Sequence, residues 1–330
     1  MVLGQSGKLQ CMVRMRGATC VDSSLYRVGA GYRYNSAMIT WQVAVIATGI
    51  LSGVAQSIGK RQVSRMSAFQ SGVLRDGTIL LVVAVVSAVQ HLFGFAPLYL
   101  LFVGVGILES VMQAAYYSAS REEMAGTVVF SYPLSSLLIV LSSGFLFSEW
   151  GYFDPRSGRG LLNIAALCLT LFLVFFYQKR DDTLTHTKRF HWSVKLLASA
   201  LMVVVANLAV KWAVAVAGVK PASYMFWEYL GLLFGGLVFV YARGQDLRVG
   251  RRQVVWGIVQ GTLFAASVFW YATLLVTVPL SLSSIVRRVA IVTVTTLAGL
   301  FVFGEHKRIS VRQWVSLGLG FGVLAMLLAV

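Results

Sequence analysis

With 330 residues, 58% of them hydrophobic and 12% charged, and a mean hydropathy of +0.76, the chain lies outside the range of soluble globular domains. Its formal net charge of +16 would suit a nucleic-acid binder, but most basic residues flank apolar runs instead of sharing one polar face, the placement that the positive-inside rule and lipid headgroups produce. Nucleic acid is thereby excluded as a partner, and the three cysteines, Cys11, Cys20 and Cys168, give neither a zinc spacing nor a disulfide framework.

Residues 1–37 hold no apolar core long enough for a signal peptide or a span. They read either as a basic, disordered tail or as translated upstream sequence with Met38 as the start. From "MITWQVAVIATGILSG" onward, apolar windows bounded by charge, Gly and Pro predict ten spans, at 39–59, 77–93, 96–118, 127–148, 160–178, 193–217, 221–242, 253–275, 279–304 and 312–330. Their continuous apolarity favours helices over barrel strands, which alternate over about ten residues. The fold class expected is all-α, a polytopic protein whose first partner is the lipid bilayer.

Taken in chain order, polar residues interrupt these spans at a few places. Gln56 sits in the first span, one turn before Lys60. Glu109 lies in the middle of the third, with Gln113 four residues on; a carboxyl group there either trades a proton, as proton coupling requires, or pairs with a base inside the bundle. Asn207 and Lys211 occupy the sixth span, and Glu228 lies nearer the start of the seventh, where it reads equally as interfacial. Amides in spans bridge helices or contact a solute. Arg287 and Arg288 stand about 10 Å into the ninth span. Guanidinium groups suit carboxylate or phosphate, but adjacent helix positions point about 100° apart, which predicts that one arginine lines a cavity while the other snorkels or pairs.

The chain also repeats itself. "TWQVAVIATGILSGVAQSIGK" matches "HWSVKLLASALMVVVANLAVK" at an offset of 151 residues, pairing Trp41 with Trp192, Gln56 with Asn207 and Lys60 with Lys211. "FLFSEW" at 145–150 matches "FVFGEH" at 301–306, pairing Glu149 with Glu305. At that second offset the arginine pair falls on Ser131 and Tyr132, so its charge belongs to one half only. The organisation expected is a tail (1–37), a first five-helix repeat (38–178), a basic connector (179–192) and a second repeat (193–330). Five spans per copy would invert the second copy, the plan of many secondary transporters. The spacings Gly49 to Gly53, Gly231 to Gly235 and Gly318 to Gly322 predict close helix contacts, and Glu149 and Glu305 read as capping or pairing groups at span ends.

The repeat, the segments "FSYPLSSLLIVLSSGFLFSEW" and "LSSIVRRVAIVTVTTLAGLFVFGEH" and the Gly-rich "WVSLGLGFGVLAMLLAV" together resemble the EamA-type drug/metabolite transporter superfamily over residues 39–330. The resemblance implies ten helices around a central cavity and movement of a small metabolite without ATP hydrolysis. "SIVRRVAIV" is also similar to the ninth helix of triose-phosphate and nucleotide-sugar translocators, where a Lys-Arg pair holds the substrate phosphate; here the pair is Arg-Arg.

The resulting expectation is a non-enzymatic secondary transporter of a small polar or anionic metabolite in the inner cell membrane. Its substrate-binding candidates are Arg287, Arg288, Gln56, Asn207 and Lys211, and its candidates for proton coupling are Glu109 and Glu228. No metal or cofactor is called for, the co-substrate is a proton or a counter-solute, and a homodimer is a candidate assembly. The alternatives are export of an amino acid or drug by the same kind of protein, and an integral membrane enzyme acting at the lipid interface. The loop "KRDDTLTHTKRFH" lacks a recognised metal spacing and reads as a charged connector. Loops after odd-numbered spans carry sixteen Lys or Arg and those after even-numbered spans three; this bias places both termini outside, whereas the family resemblance implies cytoplasmic termini.

Overall fold

A computed structural model describes the backbone of residues 34–92, 94–122, 124–177 and 186–304, together with Val311, Trp314, Val315 and Gly318; side chains are described from Trp41 onward, apart from 120–130, Pro133 and 170–193. The chain divides into two units, Met1–Thr40 and Trp41–Val330. The described part of the first is the helical backbone of residues 34–40, and the second holds the helical bundle.

Among the described residues the long elements are nine α-helices: α1 (Tyr34–Val63), α2 (Ala68–Val89), α3 (Leu98–Glu122), α4 (Met124–Phe147), α5 (Gly158–Tyr177), α6 (His186–Lys211), α7 (Pro221–Ala242), α8 (Arg251–Leu274) and α9 (Leu280–Leu297). Seven apolar helical stretches of 22–24 residues have mean hydropathy between 1.4 and 1.9; two of them, Val194–Val216 and Leu280–Val302, run beyond the ends of α6 and α9. At 1.5 Å per residue each exceeds the roughly 30 Å of a hydrocarbon core. Two further helices hold shorter described apolar stretches, Leu134–Phe147 and Gly158–Leu169. The distribution of polarity agrees: Leu81 and Phe145 are 70% and 77% exposed, while Arg75 and Asp76 are 2% and 1% exposed. Apolar side chains outside and charges inside suit lipid as the surrounding solvent. The protein is an all-α, multi-pass membrane protein.

Local chemistry sets the helix ends. Ser67 and Gln70 form a capping box at the start of α2, each side chain bonding the other's backbone N–H. This start lies nine residues before position 77, so Arg75 and Asp76 belong to a span and not to the preceding loop. Helix α6 likewise begins at His186, inside the segment expected as a connector. Helix α7 has Pro221 in its first turn and ends at Ala242; two residues on, Gly244 has a φ of 60°, and Gly244 and Gln245 donate to the carbonyls of Tyr241 and Val240. Helices α6 and α9 each run into a π-helical turn, Trp212–Val216 and Ala298–Val302. The tenth expected span, 312–330, falls outside the described residues except for the helical Trp314, Val315 and Gly318; Glu305 and Gly322 are outside them as well.

Helix α3 packs along α7, α2 lies against α7 and α8, and α4 lies against α9 and α6. Small residues bring the backbones together. A Cβ at Gly49 would stand 2.6 Å from both Cβ of Ala290 and the carbonyl oxygen of Arg287, and one at Gly53 would stand 2.8 Å from Cβ of Val294. Helix α1 is therefore pressed onto α9 at the arginine pair. Between α3 and α7, Gly106 faces the carbonyl of Glu228, Gly231 faces that of Val103, and Gly235 faces Ser110. The expected packing role of the first two glycine pairs holds.

Candidate functional site

A cavity of about 130 Å³ opens among seven helices: α1, α3 and α4 on one side of the sequence and α6, α7, α8 and α9 on the other. That is well above the roughly 10–15 Å³ needed to admit one water, so several waters or part of a small solute fit. Of the seven sequence candidates, Gln56, Glu109, Asn207, Glu228, Arg287 and Arg288 all line it.

Both arginines reach the cavity, contrary to the expectation that one would turn away. Their Cβ directions diverge, but the side chains are long enough to flank the same space from two walls. Arg287 goes toward α1 and α8, where Nη2 donates to Ser52 Oγ at 3.0 Å and Ser267 Oγ at 3.2 Å while the guanidinium lies 4.2 Å from the ring centroid of Tyr271. The two serines bond each other at 2.6 Å, and Ser267 donates to the carbonyl of Thr48 at 2.7 Å. Arg288, 4% exposed, goes toward α4, where Nη1 donates to Ser135 Oγ and the guanidinium lies 5.5 Å from the ring centroid of Tyr132. Hydroxyls and ring faces hold both groups, yet Nε of each has no hydrogen-bond partner and neither pairs with a carboxylate among the described residues.

Part of the lining is acidic. Glu109 on α3 and Glu228 on α7 are 7% and 5% exposed, and their carboxyl groups lie within hydrogen-bonding reach of each other. Such a bond requires a proton on one of them. Tyr224 donates to Glu228 Oε1 at 2.6 Å, whereas Glu109 Oε1 has no donor among the described residues. Glu228 is thus a cavity residue and not an interfacial one, because α7 begins at Pro221 and carries it two turns inward.

Gln56 ties two walls together: its Nε2 donates to Tyr132 Oη and its Oε1 accepts from Tyr116 Oη at 3.0 Å. Asn207 faces the cavity with its Nδ2 engaged by its own helix, at the carbonyl of Val203. Lys211 is elsewhere. Its Nζ donates to the carbonyls of Leu275 and Val278, both at 2.9 Å, closing the C-terminal end of α8. Glu149 does the reciprocal work at α9, where its two carboxylate oxygens accept the N–H groups of Leu280 and Ser281 at 2.9 and 2.8 Å. The capping role expected for Glu149 is what it performs.

Sequence reasoning missed Arg75 and Asp76, which sit behind the acidic wall. Arg75 Nε donates to Asp76 Oδ1 at 2.8 Å and Nη2 donates to the same oxygen, while Nη1 donates to Tyr117 Oη at 2.9 Å. Gln260 of α8 donates to that same phenol at 2.9 Å, so the network spans α2, α3 and α8. The readable signal was "SAFQ" at 67–70, a capping-box sequence that starts the helix before Arg75.

No family model matches the chain, and no curated protein does. Solved structures do: one, described as "Crystal structure of protein", aligns with a TM-score of 0.61 over 86% of this chain and 96% of its own, at 18% identity. At that identity the likeness concerns the fold alone.

Proposed function

We propose that this protein is a secondary transporter of the inner cell membrane that moves a small polar or anionic metabolite by alternating access, built as ten helices in two inverted repeats. The observation that carries this reading is a cavity shared by both halves and lined by two guanidinium groups, that of Arg287 half-buried and that of Arg288 buried, with no carboxylate partner among the described residues. Unpaired charge at that depth is costly unless a solute or water offsets it.

The inverted repeat draws support from packing. Helix α2 lies on α8 as α3 lies on α7, which a two-fold exchange of α2 with α7 and α3 with α8 would produce. Tyr132 and Arg288, matched by the repeat, face each other across α4 and α9. Matched residues meet only near the axis that exchanges their copies. Two such halves allow inward- and outward-open states of similar energy around one site. The proton shared by Glu109 and Glu228 gives the cycle a coupling ion. EamA-type drug/metabolite transporters are the family this reading favours.

The test is counterflow in proteoliposomes loaded with candidate organic anions. Wild-type protein exchanges at least one of them; Arg287→Gln and Arg288→Gln each lower that exchange by tenfold or more. Unchanged exchange in both variants would overturn the role of the arginines, and no exchange of any solute would overturn transport.

A further inference from the structure

We infer that one end of the bundle binds the headgroup of an acidic phospholipid, with Arg61, Arg251 and Arg252 serving its phosphate and its acyl chains lying along α1 and α8. The inference does not depend on the transport reading. It starts from two connections in different halves of the chain, α1 to α2 and α7 to α8, which the fold ties together. Ser67 Oγ donates to Gln245 Oε1 at 2.6 Å, Gln70 Nε2 donates to the carbonyl of Asp246, and Gln62 Nε2 donates to that of Gln253 at 3.2 Å. These bonds gather exposed arginines at one end: Arg61 and Arg65 from the first connection and Arg243, Arg248, Arg251 and Arg252 from the second. Asp246, the acid among them, pairs with Arg248 at 3.6 Å. No carboxylate is in salt-bridge contact with Arg61, Arg65, Arg251 or Arg252 among the described residues. The opposite end carries Arg156, Arg159 and Lys220 on two separate connections.

A dissolved anion would use the guanidinium groups alone, but these arginines stand on lipid-facing stripes. On α1, Val43, Ile50, Val54 and Arg61 are all exposed, and at 100° per residue they fall within about 40° of one another around the helix. On α8, Arg251 shares a face with the exposed Val255 and Ile258, and Arg252 shares one with Trp256 and the exposed Val259. The two helices meet at this end, where the Arg61 guanidinium lies 5.7 Å from the ring centroid of Trp256. Charge therefore gives way to apolar surface within one turn on α8, about 6 Å, and within two turns on α1, about 10 Å. That order, phosphate-binding groups above hydrocarbon, is the order of groups in a phospholipid. Guanidinium pairs bind phosphate oxygens in bidentate fashion, and basic clusters flanking spans attract acidic headgroups.

The experiment uses the purified full chain in detergent, with dioleoyl phosphatidylglycerol or dioleoyl phosphatidylcholine added at equal mole fraction, and glycerol 3-phosphate as the soluble arm. Phosphatidylglycerol should raise the melting temperature at least about 3 °C more than phosphatidylcholine, and glycerol 3-phosphate by less than about 1 °C. The double variant Arg61→Gln/Arg252→Gln loses at least about half of the difference between the lipids, whereas Arg156→Gln/Lys220→Gln, which removes as much charge from the other end, keeps it. Equal shifts with the two lipids overturn the proposal without any variant. So does a full difference in Arg61→Gln/Arg252→Gln, an equal loss in both double variants, which would reduce the effect to net charge, or a shift that glycerol 3-phosphate reproduces, which would make the site one for soluble anions. Native mass spectrometry of wild-type protein gives a readout independent of stability: phosphatidylglycerol is retained over phosphatidylcholine by at least about fivefold, and a ratio near one overturns the site.

Discussion

Replacing Glu149 puts the whole site under strain from a distance. Its carboxylate, 6% exposed, holds the first two N–H groups of α9, two turns before Arg287 and Arg288. A hydrogen bond to a charged group contributes about 1.5–3 kcal/mol, and an anion at a helix N-terminus about 0.3–1 kcal/mol, up to about 2 kcal/mol when partly buried. Glu149→Ala strands both N–H groups in a region with no bulk water and should cost about 3–6 kcal/mol. Glu149→Gln keeps one acceptor oxygen, places an NH2 against the other N–H and should cost about 2–4 kcal/mol. Thermal melting of detergent-purified protein, wild type above Gln above Ala, is the measurement. Loosening the first turn of α9 also displaces the arginines, so solute affinity falls with the melting temperature, although Glu149 touches no solute. If Glu149→Ala melts within about 1 °C of wild type, the carboxylate is not holding α9 and the assignment fails.

Lys211→Met frees the carbonyls of Leu275 and Val278 and should lower the melting temperature while leaving relative affinities for different solutes unchanged; altered solute preference would return Lys211 to the binding site. For the buried pair, Arg75→Met or Asp76→Asn alone should cost about 3–5 kcal/mol, because each leaves a charge without its partner. The double variant should be less destabilised than the two losses summed, which a double-mutant cycle of melting or denaturation free energies measures; strict additivity would show that the charges do not act together. Gly231→Ala drives a Cβ into the carbonyl of Val103 and should cost about 1–3 kcal/mol. Gly104→Ala on the same helix pair meets nothing within 4 Å and should be neutral or gain up to about 1 kcal/mol from helix propensity. Equal melting of these two variants would contradict the close α3–α7 contact.

The class of the protein was legible because each span must satisfy lipid on its own. Length, apolarity and absence of charge are properties of one segment at a time, and α7 matches its expected bounds of 221 and 242 to the residue. One boundary that differs, the start of α2, does so for a physical reason: a charge in sequence reads as the mark of a loop, whereas Arg75 and Asp76 neutralise each other inside the bundle. That Glu149 would cap was readable from a carboxylate beside a span end, but the helix it caps, α9, begins more than a hundred residues away.

Membership of the site was not local. Lys211 and Asn207 are one turn apart on α6, yet one closes the end of α8 and the other faces the cavity. Glu228 read equally as interfacial or as a coupling group until α3 set Glu109 against it, a contact that exists because Gly106 and Gly231 let two backbones touch. By itself the sequence determined that the chain crosses the membrane repeatedly and which residues are costly to bury there. Which of those residues meet was decided by helix rotation and crossing between segments more than a hundred positions apart, since periodicity encodes a helix's faces but not the neighbour each face will find.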